Sequence, residues 1–189
     1  AIDGDSIVLA GLTSATYDNK NVGTNKTVSA DGISLTSANN AGKAVYGYQL
    51  ASTTATGDVG TITQRGITVT AATDTKTYDA TTGSTGAPTI TTGSLASGDS
   101  ATFSQTFDNK NVGTAKTLTA AGVVNDGNSG NNYAVTFVTD NTGVINLLAI
   151  TGSITADNKS YDATTAADIN TRSLTGAIAG DDIAYTGGT

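Results

Sequence analysis

The chain is 189 residues long with a net charge of −7, 37% hydrophobic and 5% aromatic residues, and no Trp, Met, Cys or His. All sixteen acidic residues are Asp and the nine Lys and Arg are scattered singly, so there is no clustered basic surface to grip a nucleic-acid backbone. Without Cys there is neither a disulfide framework nor a thiolate metal site, and no apolar run approaches the ~20 residues of a membrane span.

Any core has to be economical, built from Val, Ile, Leu and Ala with a few rings. Disorder does not fit, because Thr, Val and Ile are abundant and only 13% of residues are charged. The absence of Glu suits strands and turns rather than helices. The start carries no basic-plus-apolar leader, and the segment reads as an internal piece of something longer.

In chain order, residues 7–10 (IVLA) predict a short buried strand stopping at Gly11. Residues 18–23 (DNKNVG) predict a tight reversal, with Asx side chains bonding the backbone two residues on and Gly23 at positive φ. Residues 26–29 and 32–35 read as strand pieces around Asp31-Gly32, a hairpin signal. Tyr46, Tyr48 and Leu50 alternate with Gly47, Gln49 and Ala51, which predicts a strand with one apolar face. Residues 59–63 and 67–71 repeat that alternation, with Thr68 and Thr70 facing outward.

Further on, residues 76–79 end a strand, 83–88 form a loop with the only proline, and 101–107 make a strand bearing Phe103, Gln105 and Phe107. A second DNKNVG turn leads to strand pieces at 116–120 and 123–124, then the polar loop 125–132 (NDGNSGNN). Tyr133, Val135 and Phe137 alternate along another strand, and Val144-Ile145 closes the series. No segment shows helical spacing over ten residues, so the predicted class is all-β.

These elements recur. Residues 16–27 (TYDNKNVGTNKT) return at 106–117 (TFDNKNVGTAKT) with ten of twelve positions identical. Residues 67–82 return at 150–165 with nine of sixteen identical, both copies ending in YDATT. Residues 1–11 (AIDGDSIVLAG) align with 177–187 (AIAGDDIAYTG). Offsets of 90 and 83 residues are too long for a solenoid coil of roughly 20–50 residues and suit small modules in line. In a frame opening at the Tyr-Asp strand, 66–148 is one complete repeat, 1–65 the back of an earlier one and 149–189 the front of a later one. An alternative frame holds two complete modules, 1–96 and 97–179.

The ordered set of Tyr78-Asp79-Ala80-Thr81-Thr82 and Tyr161-Asp162-Ala163-Thr164-Thr165, then Gly98-Asp99 or Gly180-Asp181, then DNKNVGT, resembles the YDG-type repeats of very large secreted bacterial adhesins. Those are similar to the filamentous-haemagglutinin proteins exported by two-partner secretion. The third motif residue is Ala80 and Ala163 where that family usually has Gly, which argues against positive φ at both. The resemblance implies an extracellular, β-rich module of the bacterial cell surface, present in many copies, with no activity of its own.

Catalysis is not expected: without His, Cys or Glu, acid–base work would fall on Asp, Lys or Tyr, and no Asp pair sits in a context that perturbs it. For calcium, the candidates are Asp126, Asn128 and Asn131, whose loop begins like an EF-hand but has Phe137 at its twelfth position. Asp108-Asn109-Asn111 and Asp181-Asp182 are equally well explained as Asx turns. For sugar stacking, the candidates are Tyr46 and Tyr48. The triplets Asn25-Lys26-Thr27 and Asn158-Lys159-Ser160 fit the glycosylation pattern but are expected by chance in a chain so rich in Ser and Thr.

The reading that follows is a non-catalytic structural spacer: tandem immunoglobulin-like β-sandwich modules, elongated into a stalk that supports adhesion or biofilm formation. Neighbouring repeats would be the partners, with matrix polysaccharide or host glycan as further ones, no nucleic acid, no membrane insertion and no cofactor. The alternatives are a polysaccharide- or calcium-binding adhesive module and, for the fold, a β-grasp with a helix of roughly ten residues. The Tyr-Asp frame predicts frayed ends or end-to-end association through exposed sheet edges.

Overall fold

The computed structural model describes residues 4–10, 12 and 14–183. Gly11, the expected end of the first strand, and the ends of the 1–11 and 177–187 alignment lie outside them. Among the described residues there are strands and no helix. The chain is all-β, and the helix required by a β-grasp is not present among them. It divides into two compact units, one of residues 1–66, 95–100 and 124–134, the other of residues 67–94, 101–123 and 135–189.

The first unit contains β1 (Asp5–Leu9), β2 (Thr16–Tyr17), β3 (Gly23–Asp31), β4 (Leu35–Asn40), β5 (Lys43–Ala44) and β6 (Thr54–Ile62). They form two three-stranded sheets, β1-β4-β5 and β2-β3-β6. Asp31-Gly32 therefore joins no hairpin. Nine-residue β3 pairs along its length with nine-residue β6, from Gly23↔Ile62 to Asp31↔Thr54, while β4 pairs with β1. The Asp-Gly turn, with Gly32 at φ 78°, carries the chain from one sheet to the other, because a longer antiparallel partner outcompetes the adjacent segment. Strand β1 is also less buried than expected, with Val8 and Leu9 nearly half exposed.

The expected strand through Tyr46, Tyr48 and Leu50 is irregular, and Tyr46 is 95% exposed. Tyr48 donates its hydroxyl to Asp5 Oδ2, so a side-chain bond holds this stretch rather than a ladder.

The second unit holds the greater part of β7 (Arg65–Thr70), β8 (Thr75–Thr77), β9 (Thr89–Thr92), β10 (Ser100–Phe107), β11 (Gly113–Asn125), β12 (Tyr133–Val138) and β13 (Asp140–Asn146), together with β14 (Thr151–Ala156) and β15 (Ile169–Thr175). The sheet orders are β10-β11-β13-β8, β12-β7-β9 and β14-β15. Strand β8 runs parallel to β13, Thr75 opposite Val144 and Thr77 opposite Asn146. The period-two pattern holds in β7, where Ile67 and Val69 are buried and Thr68 and Thr70 are not, and Ala71 continues it. Phe107, Leu118, Ala120 and Ile145 complete this core. Each fully buried Leu, Ile or Val adds about 1.5–3 kcal/mol, and among the described residues Leu118, Ile145 and Val69 are the large apolar side chains buried to this degree.

Backbone strain is placed where the sequence argued against it. Ala80 and Ala163 have φ of 60° and 58°, so alanine occupies the left-handed region that glycine usually takes in this motif. Gly23 is not left-handed; the left-handed residue directly follows the DNKNVGT segment, Asn25 in one copy and Ala115 in the other, at φ 52° and 55°. There the pairing registers of β3 with β6 and β11 with β13 shift, the mark of a β-bulge. The bulge and the bonds around it hold an L-residue in a conformation costing roughly 1–2 kcal/mol. Ala115 is exposed, so Ala115→Gly is expected to raise the unfolding free energy by about 1 kcal/mol after its own entropic penalty. Ala115→Asn, which copies Asn25, is expected to gain in the same direction. Urea titration of both variants checks this, and a loss of stability in both would contradict it.

Candidate functional site

The repeated turn is a lysine clamp. Asn19 Oδ1 accepts the Asn21 N–H at 3.0 Å and Asn109 Oδ1 accepts that of Asn111 at 3.0 Å, so the expected Asx bond to the backbone two residues on is made by the asparagines that follow Asp18 and Asp108. Those aspartates meet a buried lysine instead. Lys26 Nζ lies 3.0 Å from Asp18 Oδ1 and 2.7 Å from Asn19 Oδ1. Lys116 Nζ lies 3.0 Å from Asp108 Oδ1 and also bonds Asn109 Oδ1. Each lysine is 7% exposed, its stem buried and its ammonium satisfied by the turn. The hydrogen bond from lysine, above all, holds the carboxyls of Asp18 and Asp108 below their ordinary range.

The Tyr-Asp-Ala-Thr motif is a second clamp. Asp79 Oδ1 accepts the Thr81 N–H and hydroxyl, both at 2.9 Å, and Lys76 Nζ at 2.7 Å. Lys76 also donates to the carbonyls of Thr81 and Gly83 and lies 5.4 Å from the Phe107 ring centroid. The other copy repeats the pattern, with Lys159 3.0 Å from Asp162 Oδ1 and the Thr164 N–H 3.0 Å from the same oxygen. The Lys76 hydrogen bond leads in bringing the Asp79 carboxyl down to about 2. In Asp162 the Thr164 N–H leads and Lys159 adds to it.

Carboxyls depressed in the folded state contribute stability that is complete above the unfolded value near 3.9 and lost as pH falls through the folded value. With no His or Cys, no side chain has its ordinary pKa between pH 5 and 7. The melting temperature is therefore expected to be level from about pH 5 to 7 and to fall below about pH 4 as Asp18, Asp79, Asp108 and Asp162 protonate. Thermal unfolding across that range checks it, and a steep slope between pH 6 and 7 would contradict it.

A third constellation was not anticipated from the sequence, although its recurrence at 4–5, 98–99 and 180–181 was visible there. In each Gly-Asp pair the glycine is left-handed, at φ 75°, 89° and 95°, and the Asp accepts a tyrosine hydroxyl. Asp5 takes Tyr48 and the Asn40 amide. Asp99 takes Tyr133 at 2.7 Å, with Lys20 at 3.6 Å. Asp181 takes Tyr78 at 3.1 Å, with Lys110 at 3.8 Å. Tyr133 also accepts the Ala96 N–H at 2.7 Å, and burial raises its hydroxyl pKa. Lys20 and Lys110 are the third residues of the two DNKN turns, so each DNKN turn reaches the Gly-Asp pair of the following sequence repeat. Val22 and Val112 line small cavities of about 240 Å³ beside Asp99 and Asp181 respectively.

The calcium candidates stand in a closed loop. Asp126 is 2% exposed, and its oxygens accept the N–H groups of Asn128 at 2.7 Å, Gly130 at 2.9 Å and Asn132 at 2.9 Å. Burial pushes this carboxyl up, and the three N–H bonds outweigh it and hold the carboxyl below its ordinary range. Asn128 bonds Asn132 Oδ1, and the Asn131 amide bonds the Asn128 carbonyl. The loop is thus organised around Asp126 as an acceptor of backbone donors, and Asn132 in turn accepts the Val22 N–H at 2.9 Å. Among the described residues no group of three acidic side chains is placed to hold a metal ion. Tyr46 and Tyr48 border a shallow groove of about 360 Å³ with Leu35, Ala38 and Val45, with Tyr46 exposed and Tyr48 tied to Asp5.

Strands in several small sheets, tied by polar clamps that recur with the sequence, define an all-β protein. Residues 1–56 and 63–143 match the YDG domain, and the chain belongs to that family. Comparison with curated proteins found no match, and comparison with solved structures found none either.

Proposed function

We propose that the chain is a run of non-catalytic spacer modules, part of the stalk of a secreted bacterial surface adhesin that supports adhesion or biofilm formation outside the cell. One observation carries the reading: the residues that recur between copies, namely Lys26 and Lys116, Asp79 and Asp162, and Asp5, Asp99 and Asp181, are engaged in intramolecular bonds that shape turns. Recurrence here tracks architecture rather than a converging set of reactive groups. In this reading each module is an immunoglobulin-like sandwich in the Tyr-Asp frame, 66–148; among the described residues β7 to β13 form two sheets of their own, and the parallel β8–β13 pair joins the two ends of that span, although residues 95–100 and 124–134 cluster with the first unit.

Glycan arrays and calcium titration of the chain test the proposal. The expected outcome is no saturable binding and an unchanged melting temperature in calcium. Saturable glycan binding lost on Tyr46→Ala, a substitution at a side chain 95% exposed, would replace it with the polysaccharide-binding reading. A calcium-dependent rise in melting temperature would replace it with the metal-binding one.

A further inference from the structure

Lys26 and Lys116 each meet a side-chain amide as well as a carboxylate. Lys26 Nζ lies 2.7 Å from Asn19 Oδ1 and 3.0 Å from Asp18 Oδ1; Lys116 Nζ bonds Asn109 Oδ1 and lies 3.0 Å from Asp108 Oδ1. The lysines of the Tyr-Asp motif differ, because Lys76 and Lys159 meet a carboxylate, a Thr hydroxyl and backbone carbonyls. In the DNKN turns the amide oxygen also accepts a backbone N–H, from Asn21 or Asn111, each at 3.0 Å. That donor is aimed at the atom on which negative charge would develop if the amide carbon were attacked. Asp18 touches both nitrogens such an attack involves: its Oδ1 takes Lys26 Nζ, and its Oδ2 accepts Asn19 Nδ2 at 3.0 Å. A nucleophilic amine, an amide carbonyl and a carboxylate able to carry protons are therefore assembled in one turn, and the lysine, 7% exposed in both copies, is fixed there.

We propose that each DNKN turn is a self-modification site, where Lys26 joins Asn19 and Lys116 joins Asn109 through an isopeptide bond. Asp18 takes one proton from the Lys26 ammonium, and the amine so freed attacks Asn19 Cγ. The Cγ–Nδ2 bond breaks with its electron pair on nitrogen. Nδ2 takes the proton held by Asp18 and one from the attacking nitrogen, and leaves as ammonium. One ammonium is released per bond and nothing is oxidised or reduced. Asp108 serves Lys116 and Asn109 in the same way. The product clips residues 19–26 and 109–116 covalently in a chain without Cys. The inference does not depend on the spacer reading: the reaction turns over once, takes no substrate and leaves an architectural cross-link.

Mass spectrometry of the intact 189-residue chain tests the bonds. The expected mass is that of the sequence less two ammonia molecules, one for each turn. Trypsin cuts after Lys20 and Lys110, between the linked residues, and is blocked at Lys26 and Lys116, so residues 1–20 are expected to stay attached to 21–43 and residues 77–110 to 111–159. Lys26→Arg and Lys116→Arg, which keep the positive charge, and Asp18→Asn and Asp108→Asn, which remove the proton carrier, are each expected to abolish the linkage in their own turn alone. Circular dichroism establishes that each variant is folded, and the unsubstituted chain decides the matter if one is not. The full sequence mass with cleavage after both lysines would overturn the inference, as would ammonia loss with the peptides unlinked, the sign of a succinimide. Linkage in one turn only would uphold it there and overturn it in the other, and linkage that survives Asp18→Asn would overturn the part given to the carboxylate. None of these results bears on the spacer reading, which fails only on ligand binding.

Discussion

Gly122→Ala is expected to lower the unfolding free energy by about 3 kcal/mol or more, among the largest effects of a single methyl group anywhere in the chain. A Cβ at this position would lie 2.2 Å from the Thr102 carbonyl oxygen and 2.8 Å from Phe103 Cα, with φ at 148°. Both obstacles are backbone of the neighbouring strand β10, which cannot rotate aside as a side chain would. Gly32 occupies the same place 90 residues earlier, yet nothing lies within 4 Å of its Cβ position, and only its φ of 78° opposes a side chain. Gly32→Ala is expected to cost about 1 kcal/mol, the penalty of the left-handed region alone. Urea unfolding of the two variants makes the comparison, and equal losses would show that the close approach of β11 to β10 is not as described.

Gln105→Ala is expected to cost about 3 kcal/mol. Gln105 is 3% exposed, its Oε1 accepts the Ala72 N–H at 2.7 Å, and its Nε2 donates to the Ala72 carbonyl at 2.7 Å and to Ser84 Oγ at 2.9 Å. The side-chain amide takes the place of a neighbouring strand at Ala72, and truncation leaves two backbone groups unpaired at about 1–3 kcal/mol each. Gln105→Glu keeps the shape but removes the donor and sets a carboxylate against a carbonyl, so it is expected to rescue nothing. A loss below about 0.5 kcal/mol in denaturant titration would mean that water replaces the amide at Ala72.

The two substitutions mark where sequence reading stops. Gln105 lies between Phe103 and Phe107 on an alternating strand, and nothing local distinguishes a wet Gln from a buried one. Its burial depends on Ala72, which lies 33 residues away along the chain. Gly32 and Gly122 align, yet one lies in a link between two sheets and the other inside a thirteen-residue strand. The Tyr46–Leu50 alternation likewise satisfied the strand pattern without finding a ladder to join. The site was legible in outline: the polar turns, their repetition and the recurrence of Gly-Asp could all be read. The lysine that completes each DNKN turn sits eight residues after its aspartate, and its closure follows from the bulge at Asn25 or Ala115.

By itself the sequence determined the all-β class, the tandem repeat, the period-two face of β7 and the places where the chain turns. These depend on side-chain alternation and on Asx and glycine chemistry within a few residues of one another. Only the tertiary structure decided that β3 pairs with β6 across Asp31-Gly32, that alanine is held left-handed at Ala80 and Ala163, and that Lys20 and Lys110 each reach the Gly-Asp turn of the following repeat. Those outcomes depend on competition among distant segments for partners and burial. In a chain with so few large apolar residues, that competition is settled by which polar groups can be satisfied together.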